Sequence, residues 1–202
     1  MAHRPLVLAS TSRYRHELLT RLGVPFEVRA PGLEEVALPG EAPRETALRL
    51  ARLKAEAVAP SCPGALIIAS DQVAALDGKC IGKPGNHDNA VRQLKMMRGK
   101  CVTFHTALAL LDAENHALRL ADVPTEVYFR NFSDEEIEHY LNLERPYDCT
   151  GSAKIEGLGI ALVERIVSDD PSALIGLPLM RLVTLLRTHG IPVLASSNDG
   201  LR

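Results

Sequence analysis

The residues able to do phosphate chemistry come in short groups spread along the chain. Asp71 follows the apolar run of residues 65–70, and a buried strand would hold its carboxylate with little positional freedom. Arg15, Lys54 and Lys83 supply positive charge, while Glu34-Glu35 and Glu156 supply further carboxylates. Carboxylates suit a hard divalent cation such as Mg²⁺ or Mn²⁺, and Arg and Lys suit a polyphosphate. Together they suggest metal-assisted attack of water on a nucleotide phosphate. Each group also has a plainer local reading. Asp71 could simply start a turn, Ser12 could only cap a helix, and paired acids in a loop are usually solvated. Lys54, set among alanines, reads locally as a side chain snorkelling at a helix rim.

The elements that must position these groups follow from periodicity and turn chemistry. Residues 5–9 read as a short strand, residues 10–12 as a hydroxyl-rich loop, and residues 13–22 as a helix with Ser12 as N-cap and Gly23 as its stop. A strand, a loop of hydroxyls and a helix start favour an anion, because free N–H groups and the helix dipole point at it. No Gly-x-x-x-x-Gly-Lys occurs there, so it is not a P-loop. Residues 26–29 read as a strand and 43–59 as a helix ended by Pro60. Residues 65–73 form the organising strand, with Asp71 at its end. Residues 73–76 and 80–81 flank Asp77-Gly78 as a hairpin.

Further on, 86–98 reads as a helix, and 101–111 and 117–128 as two long antiparallel strands. Residues 133–143 form a helix with the capping pair Ser133 and Glu136. Residues 146–159 are irregular and Gly-rich, a backbone type that often lines a ligand when it carries Lys and Glu. Residues 160–167 read as a strand, 178–189 as a helix with Pro178 in its first position, and 196–202 as a flexible tail.

Composition narrows the function classes. The 202 residues suit a single domain spanning the chain. With 23 basic and 25 acidic residues the charge is nearly balanced, which speaks against a nucleic-acid surface. Trp is absent, so a stacking platform for single strands is poorly supplied. Cys62, Cys80, Cys101 and Cys149 are widely spaced, fitting a reducing cytoplasm better than a zinc knuckle or a disulfide framework. No run could span a bilayer and no signal peptide is visible, so the expectation is a cytoplasmic protein without a membrane partner.

Taken in order, these short motifs resemble a known family. They are Leu8-Ala-Ser-Thr-Ser-x-x-Arg15, Glu35, Ala51-x-x-Lys-Ala55, Ser70-Asp-Gln-Val73, Gly82-Lys-Pro84, Gly151-Ser152, Glu156-Gly-x-Gly159 and Gly176-Leu-Pro178. The sequence is similar to the Maf nucleoside triphosphate pyrophosphatases across nearly its whole length. Its Ser-Asp-Gln-Val form resembles the subfamily acting on 7-methylguanosine triphosphate, rather than the Ala-Asp-Thr form. The resemblance implies cleavage between the α- and β-phosphates, giving a monophosphate and pyrophosphate with a divalent metal. It implies a mixed α/β fold, an elongated curved sheet flanked by helices with a ligand cleft between two lobes, and a possible homodimer.

Carried over by position, Asp71 is the proton acceptor for water and, with Glu35, a metal-side acid. Ser10, Arg15, Lys54 and Lys83 match phosphate-side positions, and Tyr14, Gln72 and Glu156 match positions that tune substrate choice. The chain departs from the pattern at Arg13, where the family has Pro, and at Glu34-Glu35, where Asp-Glu is usual. Tyr14 stands where the subfamily often has Trp. An aromatic face there would favour a cationic methylated base by about 0.5–2 kcal/mol. Arg13, His87 and His105 read as surface or packing residues. The rival readings are a pyrophosphatase for another nucleotide, a non-enzymatic nucleotide- or nucleic-acid-binding regulator linked to cell division, and a structural module.

Overall fold

Short apolar runs alternate with amphipathic helices, and the computed structural model describes residues 4–194. The order begins β1 (Leu6–Ala9), α1 (Arg13–Thr20), β2 (Glu27–Arg29), α2 (Pro43–Val58), β3 (Leu66–Leu76) and β4 (Lys79–Ile81). It continues α3 (His87–Met97), β5 (Cys101–Asp112), β6 (Leu118–Phe129), α4 (Asp134–Glu144), β7 (Val163–Ser168) and α5 (Leu179–Thr188). One mixed sheet runs β2-β1-β3-β5-β6-β7, with β4 paired to β3. β1 is parallel to β2 and β3, and every other pairing is antiparallel. The outcome is the mixed α/β architecture with flanking helices that the sequence implies.

Three apolar clusters hold the fold. Strands are two-faced, and one face of the β1–β3–β5 region, through Val7, Ile67, Ala69 and Ala109, packs on the alanine stripe of α2. The other face, through Leu8, Ile68, Leu108 and Leu110, packs on Leu18 and Leu19 of α1 and Leu182 and Leu186 of α5. Beyond the middle of the sheet a third cluster forms. There Ala74, Leu76, Phe104 and Val127 pack with Leu94 of α3 and Ile137 and Leu141 of α4. Each fully buried Leu or Ile side chain is worth about 1.5–3 kcal/mol of transfer free energy. The two-lobed shape follows: β3, β5 and β6 run through both lobes, and the helices cover different halves.

The seam between the lobes is where the sheet has a gap. β1 pairs with residues 66–68 of β3, and β4 pairs with residues 74–76. Among the described residues no strand covers that edge of β3 at residues 69–73, while β5 pairs along the opposite edge.

Three expected boundaries move. Asp71 does not end a strand or start a turn; it is the sixth residue of an eleven-residue strand. The apolar run breaks at Asp71-Gln72 because these residues face the seam rather than a core, and the strand resumes its apolar pattern at Val73. The last strand begins at Val163 rather than residue 160, because residues 158–162, starting after Gly157, turn as a short 3-10 helix. Pro178 caps α5 instead of occupying its first turn. The tail expected at 196–202 lies outside the described residues. All four cysteines are free, and no described helix is long and apolar enough to cross a membrane.

Candidate active site

Two adjoining cavities open at the bare edge of β3. One, of about 340 Å³, is lined by residues 10–15 together with Glu35, Lys54, Gln72, Lys83, Phe104, Asp148, Cys149, Glu156 and Gly176. The other, of about 350 Å³, reaches Asp71 beside Val73, Ile81 and Leu50, and shares Glu35, Gln72 and Lys83 with the first. Successive residues of a strand point to opposite faces. Asp71 therefore turns toward α2 and Gln72 toward the opposite face, and the missing neighbour strand lets both be reached from one opening.

On the α2 face, Lys54 is the centre. It is only 2% exposed, so it does not snorkel at a rim. Its ammonium lies 2.5 Å from Asp71 Oδ1 and 2.7 Å from Glu35 Oε1. A lysine buried that deeply requires paired charge, and the two carboxylates converge on it from β3 and from the 30–42 loop. Burial pushes the Asp71 carboxyl above its ordinary value; Lys54 and Arg15 pull it back without outweighing that, and Glu35 adds to the rise. A carboxyl with a raised pKa is a stronger base once ionised, as a proton acceptor near neutral pH requires. Burial also pushes Glu35 upward, but the Lys54 hydrogen bond and the charges of Lys54, Lys83 and Arg15 outweigh it, and Glu35 ends below its ordinary value. Glu34 is not part of either cavity wall.

At the end of β1, the sequence turns as expected. Ser12 caps α1, its side chain accepting from the Arg15 N–H. Ser10, nearly buried, accepts from the Ser12 N–H at 3.1 Å. Arg15 donates from Nε to the Gly176 carbonyl at 2.8 Å, which fixes its guanidinium against the cavity. Burial lowers the Arg15 pKa, opposed by Asp71 and Glu35. Gly176 has φ +123°, a conformation that disfavours a side chain, and its carbonyl also accepts from Ser70 Oγ at 2.8 Å. The Gly-Leu-Pro motif thus ties the start of α5 to β3 and α1 at once.

On the opposite face Gln72 is locked. Its Nε2 donates to Thr106 Oγ1 at 3.0 Å and to the carbonyls of Ala173 and Leu174 at 3.1 and 3.0 Å. That network assigns the amide orientation and leaves Oε1 as the group available to a ligand. Tyr14 sits nearby with Arg13 over its ring, 4.7 Å from the centroid, and Arg13 donates to its hydroxyl at 2.8 Å. Burial pushes the neighbouring Cys149 thiol up to about 11, so it is no nucleophile at neutral pH.

The cavities thus bring together all nine residues that the sequence singles out: Ser10, Tyr14, Arg15, Glu35, Lys54, Gln72, Lys83 and Glu156 line the first and Asp71 the second. Arg13, read from the sequence as a surface or packing residue, lines the same wall, as do Asp148 and Phe104, which sequence reasoning passes over. Arg13 was legible as a departure from the motif, whereas Asp148 and Phe104 carry no local signal. His87 and His105 lie outside the cavities, bonded to Glu138 and Asp122. Charge is divided between two neighbourhoods. Arg15, Lys54 and Lys83 act on Glu35, and Asp148 and Glu156 act on Cys149 against the Tyr14 hydrogen bond.

The donor set also bears on a metal. Asp71 and Glu35 both converge on the Lys54 ammonium through one oxygen each, and their other oxygens are donors of the kind that suits Mg²⁺ or Mn²⁺ when substrate phosphates and water supply the remaining ligands. No cluster of three or more His, Cys, Asp or Glu forms a cage among the described residues.

A family model described as Maf-like protein matches residues 5–189. A protein of Cupriavidus metallidurans named 7-methyl-GTP pyrophosphatase is 58% identical over 187 residues, 93% of this chain and 94% of its own. One of the same name from Ralstonia nicotianae is 58% identical over 95% of this chain and 98% of its own. Another from Methylobacillus flagellatus is 55% identical over 94% and 99%. Among solved structures, the Staphylococcus aureus Ham1 protein is a partial likeness, with 16% identity and a TM-score of 0.45 over 63% of this chain and 73% of its own.

Proposed function

Because this chain belongs to the Maf-like family, we propose that it is a nucleoside triphosphate pyrophosphatase whose substrate is 7-methyl-GTP. The observation that carries the reading is the buried Lys54 holding Asp71 and Glu35 together at the open edge of β3. The names of its nearly full-length relatives support the substrate.

In this reading the triphosphate lies against Ser10, Arg15, Lys54 and Lys83, where positive charge gathers and the α1 N-terminus offers free N–H groups. Asp71 takes a proton from water as the water oxygen bonds to phosphorus. The α–β anhydride bond breaks and pyrophosphate leaves, with a nucleoside monophosphate remaining. Asp71 and Glu35 are the residues that would hold a divalent ion, Mg²⁺ or Mn²⁺, which would neutralise phosphate charge. Tyr14, Gln72 and Glu156 read the base end. N7-methylation makes the guanine ring cationic, and the neighbourhood of Asp148 and Glu156 is the anionic one. Arg13 stacks over one face of the Tyr14 ring, so a cationic base would take the other face or displace Arg13. Near-balanced charge and four free thiols favour a cytoplasmic enzyme acting on a small molecule, without nucleic-acid or membrane partners. The homodimer implied by the family, and the action of the whole chain as one domain, belong to the same proposal.

The test is pyrophosphate release with Mg²⁺ or Mn²⁺ across canonical and modified nucleoside triphosphates. Wild type should prefer 7-methyl-GTP, and Asp71→Asn should fold and lose about 10²–10⁴-fold in kcat. An active Asp71→Asn would remove the mechanism. Preference for another nucleotide would keep the mechanism and discard the substrate. No turnover by folded protein would leave the regulatory reading in its place.

A further inference from the structure

We infer that Glu144, at the C-terminal end of α4 and outside the cavity wall, is a positioning residue that presents Glu156 to the base of the bound nucleotide. The inference rests on the reading of Glu156 as a base-recognising carboxylate.

Glu156 lines the cavity but stands on an irregular loop, and a loop carboxylate selects a base only if it is held still. The loop is held from both sides of Glu156 by one side chain. Glu144 Oε2 accepts from Lys154 Nζ at 2.9 Å, and Glu144 Oε1 accepts from the Leu158 N–H at 2.8 Å. The Leu158 N–H, then Lys154, hold the Glu144 carboxyl below its ordinary value, so it is ionised and the contacts are charge-assisted. Gly157 is explained by the same clamp, and Gly159 by the loop's close approach to its own backbone at Lys154. A Cβ on Gly157 would lie 2.5 Å from Glu144 Oε1, and one on Gly159 would lie 2.5 Å from the Lys154 carbonyl oxygen. Gly157 therefore lets the loop close on Glu144, and Gly159 lets it fold back on Lys154. At its start, the loop is fixed by the Lys154 N–H donating to Tyr140 Oη at 2.9 Å.

The clamp has an electrostatic effect as well. Lys154 is two residues from Glu156 and would be its natural counter-ion, yet its ammonium is engaged by Glu144. Glu156 enters no ion pair among the described residues. Its charge is left for the ligand, and a cationic base or a pair of base N–H donors is the ligand chemistry that an unpaired carboxylate takes.

The experiment is a double-mutant cycle of Glu144→Ala and Glu156→Gln, measuring kcat and KM with 7-methyl-GTP and GTP. Glu144→Ala should lower the preference for the methylated nucleotide about tenfold, the size of one charge-assisted contact. The loss should fall on KM rather than kcat. In the Glu156→Gln background, Glu144→Ala should have no further effect on preference, because its route to the base is gone. An unchanged preference in Glu144→Ala, or additive losses in the double variant, would overturn the inference. If Glu144→Ala does not fold, Lys154→Met opens only the ion-pair half of the clamp and must show the same non-additivity. Should wild type prefer a different base, the substrate reading fails alone, and the cycle is run with that base against its nearest analogue. Should wild type hydrolyse no nucleotide, both fail.

Discussion

Lys54 is the residue on which the site's electrostatics turn. Removing one partner of a buried pair leaves the other charge uncompensated, at a cost of about 3–5 kcal/mol. In Lys54→Met the apolar stem is kept, and Asp71 faces Glu35 with no ammonium between them. Asp71 already has a raised pKa, with Lys54 among the forces pulling it down. Without Lys54 it rises further. A carboxyl whose folded pKa exceeds its unfolded value contributes its stability below the unfolded pKa and loses it as pH rises through the folded one. The deficit of Lys54→Met relative to wild type should therefore be largest near pH 8 and shrink on acidification. Urea denaturation in chelator between pH 4.5 and 8 reads this directly. A deficit independent of pH would mean that the lysine contributes packing and not charge.

At the scale of elements, the 30–42 loop has to deliver Glu35 to α2, and a second ion pair holds it there. Arg49 of α2 bonds Glu41 through Nε and Nη2, both at 2.6 Å, and also donates to the Val36 carbonyl at 2.9 Å. Glu41 further accepts from Thr46 Oγ1 and the Leu38 N–H. The Arg49 hydrogen bond, in the first place, holds the Glu41 carboxyl down at about 2. Such a depressed group contributes stability above its ordinary value of 4.5, and loses it as pH falls through about 2. Arg49→Ala should speed exchange of the Leu38 amide at least about tenfold at pH 7 while α2 keeps its protection. The stability gap from wild type should close as pH falls toward about 2. Unaltered exchange at Leu38 would show that the loop is held by other contacts.

Elements of this kind differ in how far the sequence reveals them. The α4 N-terminus was legible because Ser133 and Glu136 make both bonds of a capping box within four residues. The hairpin was legible because Asp77 and Gly78 both adopt positive φ, as a tight turn demands. The length of β3 was not, because its polar middle interrupts the pattern that local reasoning follows. Burial of Lys54 was not either: its partners Glu35 and Asp71 come from a distant loop and a distant strand, and helical spacing carries no trace of them. The nine residues that the ordered motifs single out line the two cavities. The gap in the sheet edge that lets Asp71 and Gln72 serve one opening from opposite faces is a property of pairing, and only the structure displays it.

For the whole molecule, the same three strands build both lobes. β3 contributes Ile67 and Ala69 to one cluster, Leu66 and Ile68 to a second, and Ala74 and Leu76 to the third. β5 divides in the same way between Leu108 and Leu110 on one side and Val102 and Phe104 on the other. Neither lobe can lose its core without breaking the ladder that the other depends on. The candidate site sits on the seam, where Phe104 of the third cluster packs close to Gly151 and lines the cavity. Unfolding should then be a single cooperative transition, with fluorescence of the tyrosines, circular dichroism and loss of activity coinciding. Leu19→Ala in one lobe and Ile137→Ala in the other, both fully buried, should each cost about 2–5 kcal/mol. Each should move that one transition as a whole. If Ile137→Ala instead split the curve, with α1, α2 and α5 melting later than α3 and α4, the seam would be a boundary between two independently stable bodies. The cleft would then be free to open and close about β3, and the depth to which a nucleotide is enclosed would be set by that motion rather than by the static walls.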